Sequence, residues 1–375
     1  MTIGRQTVRT RWRQIHSALD SADVDALLVS DRFNFAYLTT RSSREFEKRF
    51  RHLVILLDRN GDGWALAPAS EAGALRSAVP DLRLQVYESE PLDVRTAAGF
   101  IAGASSRNPR RLGVELSGAD RPDLTGSMLR AVMDLMPASA MVDCSPILSR
   151  ARLLKSAEEI GALRLAGAIA QSAWEATLPK IQPGMTLAEV SGHLASGFAE
   201  HGADYNFPGH IEARNASDLS SPILRPGHVL WCDFGVTIDG YHSDVSRRAV
   251  LGPPASSQIE NHRNGVGLLE AFIGALRPDR PIDDATRDVL RIRSNLHHGD
   301  DLPRRFGHGI GLCAAEPPSR DVRHGALLER GTVVTPEPSF TAADGEFVHL
   351  EEMVVIGADG GVPITSGAAT LYQAG

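Results

Sequence analysis

Four carboxylates and one imidazole follow one another through the second half of the chain: Asp233 in WCDFG, Asp244 in YHSDVSR, His308 in FGHGIG, Glu337 in TPEPSF and Glu351 in HLEEM. Brought together, the four acids would repel one another, and two divalent cations would relieve that repulsion. An oxygen-rich set with a single imidazole suits Mn, Fe, Co or Zn in a working site better than a structural zinc, which normally takes cysteine. Two such ions side by side can activate a water and polarise a carbonyl, the chemistry of hydrolysis. Each piece alone has a plainer reading. Aspartates beside an Asp-Gly turn are usually solvated, Glu-Pro and Glu-Glu pairs are common on surfaces, and a lone histidine usually packs or faces water. The ordered set of five is what carries the metal reading.

These residues need elements that aim them at one another. VLWCDFGVTIDGYHSDVSRRAV reads as a β-hairpin turning on Asp239-Gly240, the dipeptide that best fits a type I′ turn. In that register Asp233 faces Ser246 and has Asp244 as its diagonal neighbour, so both carboxylates lie on one face. A second hairpin, VVTPEPSFTAADGEFVHLEEMVVI, turns either over Ala343, Asp344 and Gly345, which sets Glu337 opposite Glu351, or over Asp344-Gly345 alone, which sets Glu337 opposite Glu352. Pro336 and Pro338 weaken the first strand of that hairpin, because proline belongs at edges and bulges. The glycines around His308 let backbone approach it closely.

At 375 residues the chain exceeds what one hydrophobic core usually serves, so two domains are expected. The first alternates helical and strand patterns (ALLVS at 26–30, HLVILLD at 52–58, GWALAPA at 63–69, LGVEL at 112–116), which is α/β patterning. The second opens near LLKSAEEIGALRLA, where Ser156 and Glu159 form a capping box, and continues through long helices into hairpins, which is α+β. A net charge of −7 argues against nucleic acid as a partner. Three scattered cysteines without a CxxC spacing argue against disulfides, and the N-terminus lacks the apolar stretch of a signal peptide. No apolar run reaches the ~18 residues of a membrane span. A cytoplasmic protein without membrane contact is the expectation.

DFG, GYHSDVSR, GHGIGL, EPPS, TPEPSF and HLEEMVVI, in that order, resemble the M24 metallopeptidase family, the pita-bread fold of methionine aminopeptidases, aminopeptidase P, prolidase and creatinase. Residues 150–375 carry the resemblance well. Residues 1–145 resemble the creatinase-type N-terminal domain more loosely, chiefly through SDRFNFAYLTT. The resemblance implies an α/β creatinase-like N-terminal domain over 1–148 and an α+β pita-bread catalytic domain over 149–375. It implies two divalent ions held by Asp233, Asp244, His308, Glu337 and Glu351, with Asp244 and Glu351 bridging, which prefers Glu351 over Glu352. It further implies that Glu337 assists proton transfer, that His308 belongs to the catalytic set, and that the protein is a homodimer.

Two positions depart from the family's usual pattern. Ala315 in GHGIGLCAAE stands where a substrate-contacting histidine is usual, and NASDLSSP at 215–222 lacks the histidine expected before Asp233. His210 in FPGHIEA is either a shifted substitute or a loop histidine. These departures remove donors worth roughly 3 kcal/mol each in other oxyanion sites. They argue against ordinary Xaa-Pro peptidase activity and for cleavage of an amide, amidine or Xaa-Pro-like C–N bond in a small or dipeptide-like substrate. The alternatives are a metal-dependent lyase or other non-hydrolytic enzyme, and a non-catalytic binding protein on the same fold. His242, which shares a strand face with Asp244, and Arg44, in the basic stretch RSSREFEKRFRH, are further substrate-binding candidates.

Overall fold

In the computed structural model the apolar runs ALLV and VILLD form the antiparallel strands Ala26–Val29 and Val54–Asp58, almost wholly buried. Described are residues 3–48, 51–88, 92–104, 109–116, 125–137, 139–214, 223–296, 307–318 and 327–375. The chain divides into two units, Thr2–Arg152 and Leu153–Gly375. The sequence-based boundary at 148/149 falls inside the helix Ser145–Leu153, just ahead of that division.

The first unit is built on a six-stranded mixed sheet. Its strand order is Arg83–Tyr87, Gly63–Pro68, Val54–Asp58, Ala26–Val29, Arg111–Val114, Ala140–Asp143. Helix Arg5–Ser21 buries Val8, Trp12, Ile15 and Leu19, whose spacing of three and four keeps them on one stripe. The segment SDRFNF is tied down by buried polar contacts. Glu115 accepts hydrogen bonds from Ser30 N (2.7 Å), Asp31 N (2.9 Å) and Asn34 Nδ2 (2.8 Å), while Asp31 caps the helix Arg32–Thr39.

The second unit has the expected α+β character. Its first sheet runs Leu371–Ala374, Val245–Leu251, Val229–Ile238, Tyr205–Arg214, with Tyr241–His242 also paired to Val229–Ile238. Only the pairing of Leu371–Ala374 with Val245–Leu251 is parallel in it. Helices Ala157–Thr177 and Leu187–Glu200 cover one face, where Leu230, Cys232, Phe234 and Val236 meet Trp174, Leu194 and Phe198. Alternation along the strand therefore turns Trp231 and Asp233 to the opposite face.

A second sheet runs Gly307–Gly309, Val333–Pro336, Val354–Ile356, Gly361–Pro363, and a small one pairs Ser339–Thr341 with Phe347–His349. Helices Ser256–Ala275 and Ile282–Arg293 pack here through Leu268, Phe272 and Val289 against Val334, Phe340 and Val354. Between Pro336 and Ser339, and again between His349 and Val354, the chain leaves one sheet and joins another. Pro336 ends its strand, paired with Gly307 at the edge of the sheet, and Pro338 lies in the crossing itself, positions that suit a residue without an N–H.

Candidate metal centre

The first hairpin has the expected register throughout. Ile238 pairs with Tyr241, Phe234 with Val245 and Asp233 with Ser246. Asp239 (φ 52°) and Gly240 (φ 81°) both take the left-handed conformation that a type I′ turn requires. In the second hairpin Ser339 pairs with His349 and Thr341 with Phe347. Ala342 N donates to Glu346 O at 2.8 Å and Gly345 has φ 84°, so the turn spans Ala343, Asp344 and Gly345. That is the three-residue turn, the one whose register, continued beyond the paired strands, leads toward Glu337 and Glu351 rather than Glu352.

Neighbouring pairings align a row across three chain segments and a fourth. His210 pairs with Asp233, Asp233 with Ser246, and Ser246 bridges to Glu351. Ligand atoms of Asp244, His308 and Glu351 lie within 4.8 Å of one another, as do those of Asp233, His349 and Glu351. Glu337 stands beside these groups, with Oε1 4.0 Å from His308 Nε2 and Oε2 3.7 Å from His349 Nε2. Four of the five expected ligands thus fall into two clusters sharing Glu351, and the fifth lies between their histidines. His349 was not among the expected residues. Its signal was available: it sits two positions before Glu351, on the same face of an extended segment.

Glu351 is fully enclosed, and neither of its carboxylate oxygens makes a hydrogen bond among the described residues. Burial first, then the charges of Asp244, Asp233 and Glu337, push its pKa well above the ordinary carboxylate range. Such a group is costly to keep ionised unless cations neutralise it. The donor set therefore fits divalent metal. Glu352, its neighbour, points elsewhere: it receives Arg247 Nη2 at 3.1 Å and Ala368 N at 2.7 Å.

His308 is held for ligation. Its Nδ1 lies 2.9 Å from Gly309 O, and because a carbonyl only accepts, Nδ1 carries the proton and Nε2 presents its lone pair, 3.6 Å from Asp244 Oδ2. The strand carrying it is pressed between backbones. A Cβ on Gly309 would stand 2.3 Å from Pro317 O, and one on Gly307 2.2 Å from Thr335 O. A buried ion pair, Lys155 Nζ to Glu316 Oε1 at 2.7 Å, fastens the loop behind it.

The remaining candidates are placed less centrally. His210 lies in the strand Tyr205–Arg214, which corrects the loop reading; it is exposed, bonds to Glu212, and sets its ring 5.2 Å from that of Trp231. His242 belongs to neither donor cluster; its N–H donates to Gly311 O at 2.8 Å, and burial lowers its pKa. Ala315 is exposed and offers no donor side chain. Arg44 is exposed on the 3₁₀ turn Arg44–Glu47 of the first unit, where Glu45 binds Lys48 and Arg51. Arg49 and residues 215–222 lie outside the described residues.

The model of Metallopeptidase family M24 matches residues 161–358, and that of the Creatinase/Prolidase N-terminal domain matches residues 11–154. Among curated relatives, a probable dipeptidase, PepE, of Mycobacterium bovis is 27% identical over 370 residues, covering 93% of this chain and 92% of its own. An uncharacterized peptidase, YqhT, of Bacillus subtilis is 27% identical over 276 residues, covering 71% of this chain and 77% of its own. Among solved structures, an Xaa-Pro dipeptidase from Bacillus anthracis superposes with a TM-score of 0.80 at 22% identity, over 98% of this chain and 99% of that one. The prolidase from Pyrococcus horikoshii gives 0.78 at 20%, over 95% and 98%. At these identities the superpositions speak to the fold.

Proposed function

Since the chain belongs to metallopeptidase family M24, with a Creatinase/Prolidase N-terminal domain ahead of the catalytic one, we propose that this M24-type hydrolase uses two divalent ions to cleave a C–N bond in a small, dipeptide-like substrate. The observation that carries the proposal is Glu351, buried among Asp233, Asp244, Glu337 and His308 with both oxygens unsatisfied. Asp233, Asp244, His308, Glu337 and Glu351 would hold the ions. When bound, these would neutralise the carboxylates and supply the Lewis acidity that polarises a carbonyl and acidifies water.

The protein's own groups would do the rest. Glu337, between the two imidazoles, would take the proton from the attacking water and return it to the leaving nitrogen. His308, fixed by Gly309 O, would keep one orientation throughout the cycle. His210 and Trp231 would offer a stacking surface to a substrate bound over Asp233. His242 would act by positioning the Gly311 loop. Curated relatives named as dipeptidases support the substrate class. A homodimer, which the family resemblance implies, and a cytoplasmic location, expected from the sequence, complete the proposal. Among the described residues no helix is long and apolar enough to cross a membrane.

Metal analysis of protein purified without chelator, with Asp244→Ala alongside, tests the reading. About two equivalents of Mn, Fe, Co or Zn are expected in the wild type and a loss in the variant. Glu337→Gln is expected to lower kcat on dipeptide, amide or amidine substrates by about 10²–10⁴, the usual range for a positioned proton carrier. Absence of metal even after reconstitution would overturn the proposal. Products lacking oxygen from labelled water would favour elimination over hydrolysis.

A further inference from the structure

Within the proposed dinuclear site, the two donor clusters have the same composition. One contains Asp244, His308 and Glu351; the other contains Asp233, His349 and Glu351. Each has one aspartate, one imidazole and the shared glutamate. Only the first imidazole was expected from the sequence.

His349 is built into place from several directions. It ends the strand Phe347–His349, paired with Ser339. Ser246 Oγ donates to its carbonyl at 3.2 Å while accepting Trp231 Nε1–H at 2.6 Å, so the first sheet grips its backbone. Its ring lies against Trp231, centroids 5.1 Å apart, and against Phe347 at 6.2 Å. The residue is buried. The plainer role would be a hydrogen-bond partner for Glu337, but Nε2 to Oε2 is 3.7 Å, beyond hydrogen-bonding distance. The Asp233 and Glu351 donor atoms lie within 4.8 Å of the ring nitrogen, a separation that donors around one cation can have.

We propose that His349 is a metal ligand, supplying the imidazole nitrogen for the ion on the Asp233 side, so that each ion of the pair has one nitrogen donor. The proposal rests on the dinuclear reading above. A nitrogen at both positions, with carboxylate oxygens, favours Zn, Co, Fe or Mn over Mg at both.

The test uses the full chain, stripped of metal and titrated with Co²⁺, for wild type, His349→Gln and His308→Gln. Calorimetry gives the number and affinity of equivalents. Proton NMR of the cobalt-loaded protein gives the number of solvent-exchangeable, hyperfine-shifted ring N–H resonances, one for each ligated histidine. Thermal unfolding of the metal-free forms checks that the variants fold. Two resonances in the wild type, one in each variant, and at least an approximately ten-fold weaker second equivalent in His349→Gln would support the assignment. Two resonances with unchanged affinities in His349→Gln would overturn it while leaving the dinuclear site standing. Reduced activity with unchanged cobalt affinity would also overturn it, because His349 would then act through Glu337 alone. A wild-type protein that takes up no cobalt would overturn this inference together with the proposed function.

Discussion

Glu351 and Glu352 are adjacent and chemically identical, yet their surroundings are opposite in charge. Glu351 is surrounded by carboxylates, whereas Glu352 faces the fully buried Arg247 guanidinium. Glu351→Gln removes a crowded charge, so the chelator-treated protein is expected to gain about 1–2 kcal/mol in denaturant unfolding while losing metal, a familiar exchange of function for stability. Glu352→Gln leaves a buried cation without its counter-charge and is expected to cost about 3 kcal/mol with metal stoichiometry unchanged. If both variants moved stability in the same direction, the division of labour between the two residues would be wrong. From the residues alone the choice between these glutamates was open, since a one-residue slip exchanges the faces of a strand. The left-handed Gly345 and the Ala342 to Glu346 hydrogen bond settle the register. His349 carries a weaker signal in the sequence, only its two-residue spacing from Glu351, with none of the flanking glycines that mark His308.

Among the elements, those with strong local chemistry were legible. The Ser156/Glu159 capping box and the Asp239-Gly240 turn both depend on contacts within a few residues, and both are present as expected. The crossings at Glu337 and Glu351 were less legible, because a strand that changes sheets looks in sequence like one continuous strand. The prolines beside Glu337 are its trace in the sequence, a weakness in the strand pattern. Position 210 shows a similar effect: FPGHIEA, with its Pro and Gly, reads as loop, but pairing with Val229–Ile238 overrides that local preference. The Gly307–Gly309 strand offers a direct check on why glycine flanks His308. Gly309→Ala, whose Cβ would meet Pro317 O at 2.3 Å, is expected to cost about 1–3 kcal/mol and to weaken metal binding through displacement of His308. Wild-type melting and metal affinity in that variant would remove close backbone approach as the explanation.

For the whole molecule, the two units and their order were readable from alternating versus segregated patterns, whereas the long-range polar contacts were not. One of these ties stability to pH. His262, on the helix Ser256–Ala275, is buried beside Arg248, and burial followed by that positive charge pushes its pKa down to about 4 from 6.5. The unfolded chain therefore binds a proton that the folded one refuses. Stability from this group is complete above about pH 6.5 and is lost progressively toward pH 4, by up to about 3 kcal/mol. Denaturant titrations across that range should show a shallower decline in His262→Gln than in the wild type, and parallel curves would exclude His262 as the cause. The candidate centre also draws on several parts of the second unit. Asp233 and Asp244 belong to the first hairpin, His308 to the second sheet, and Glu337 and Glu351 to the crossings between sheets. An ion held by all of them closes the catalytic unit as a clasp does, so its binding energy is also folding energy, about 2.7 kcal/mol when free metal stands 100-fold above Kd. A cell short of metal would then hold less of this protein as well as less active protein, because the emptied chain would unfold and be degraded sooner.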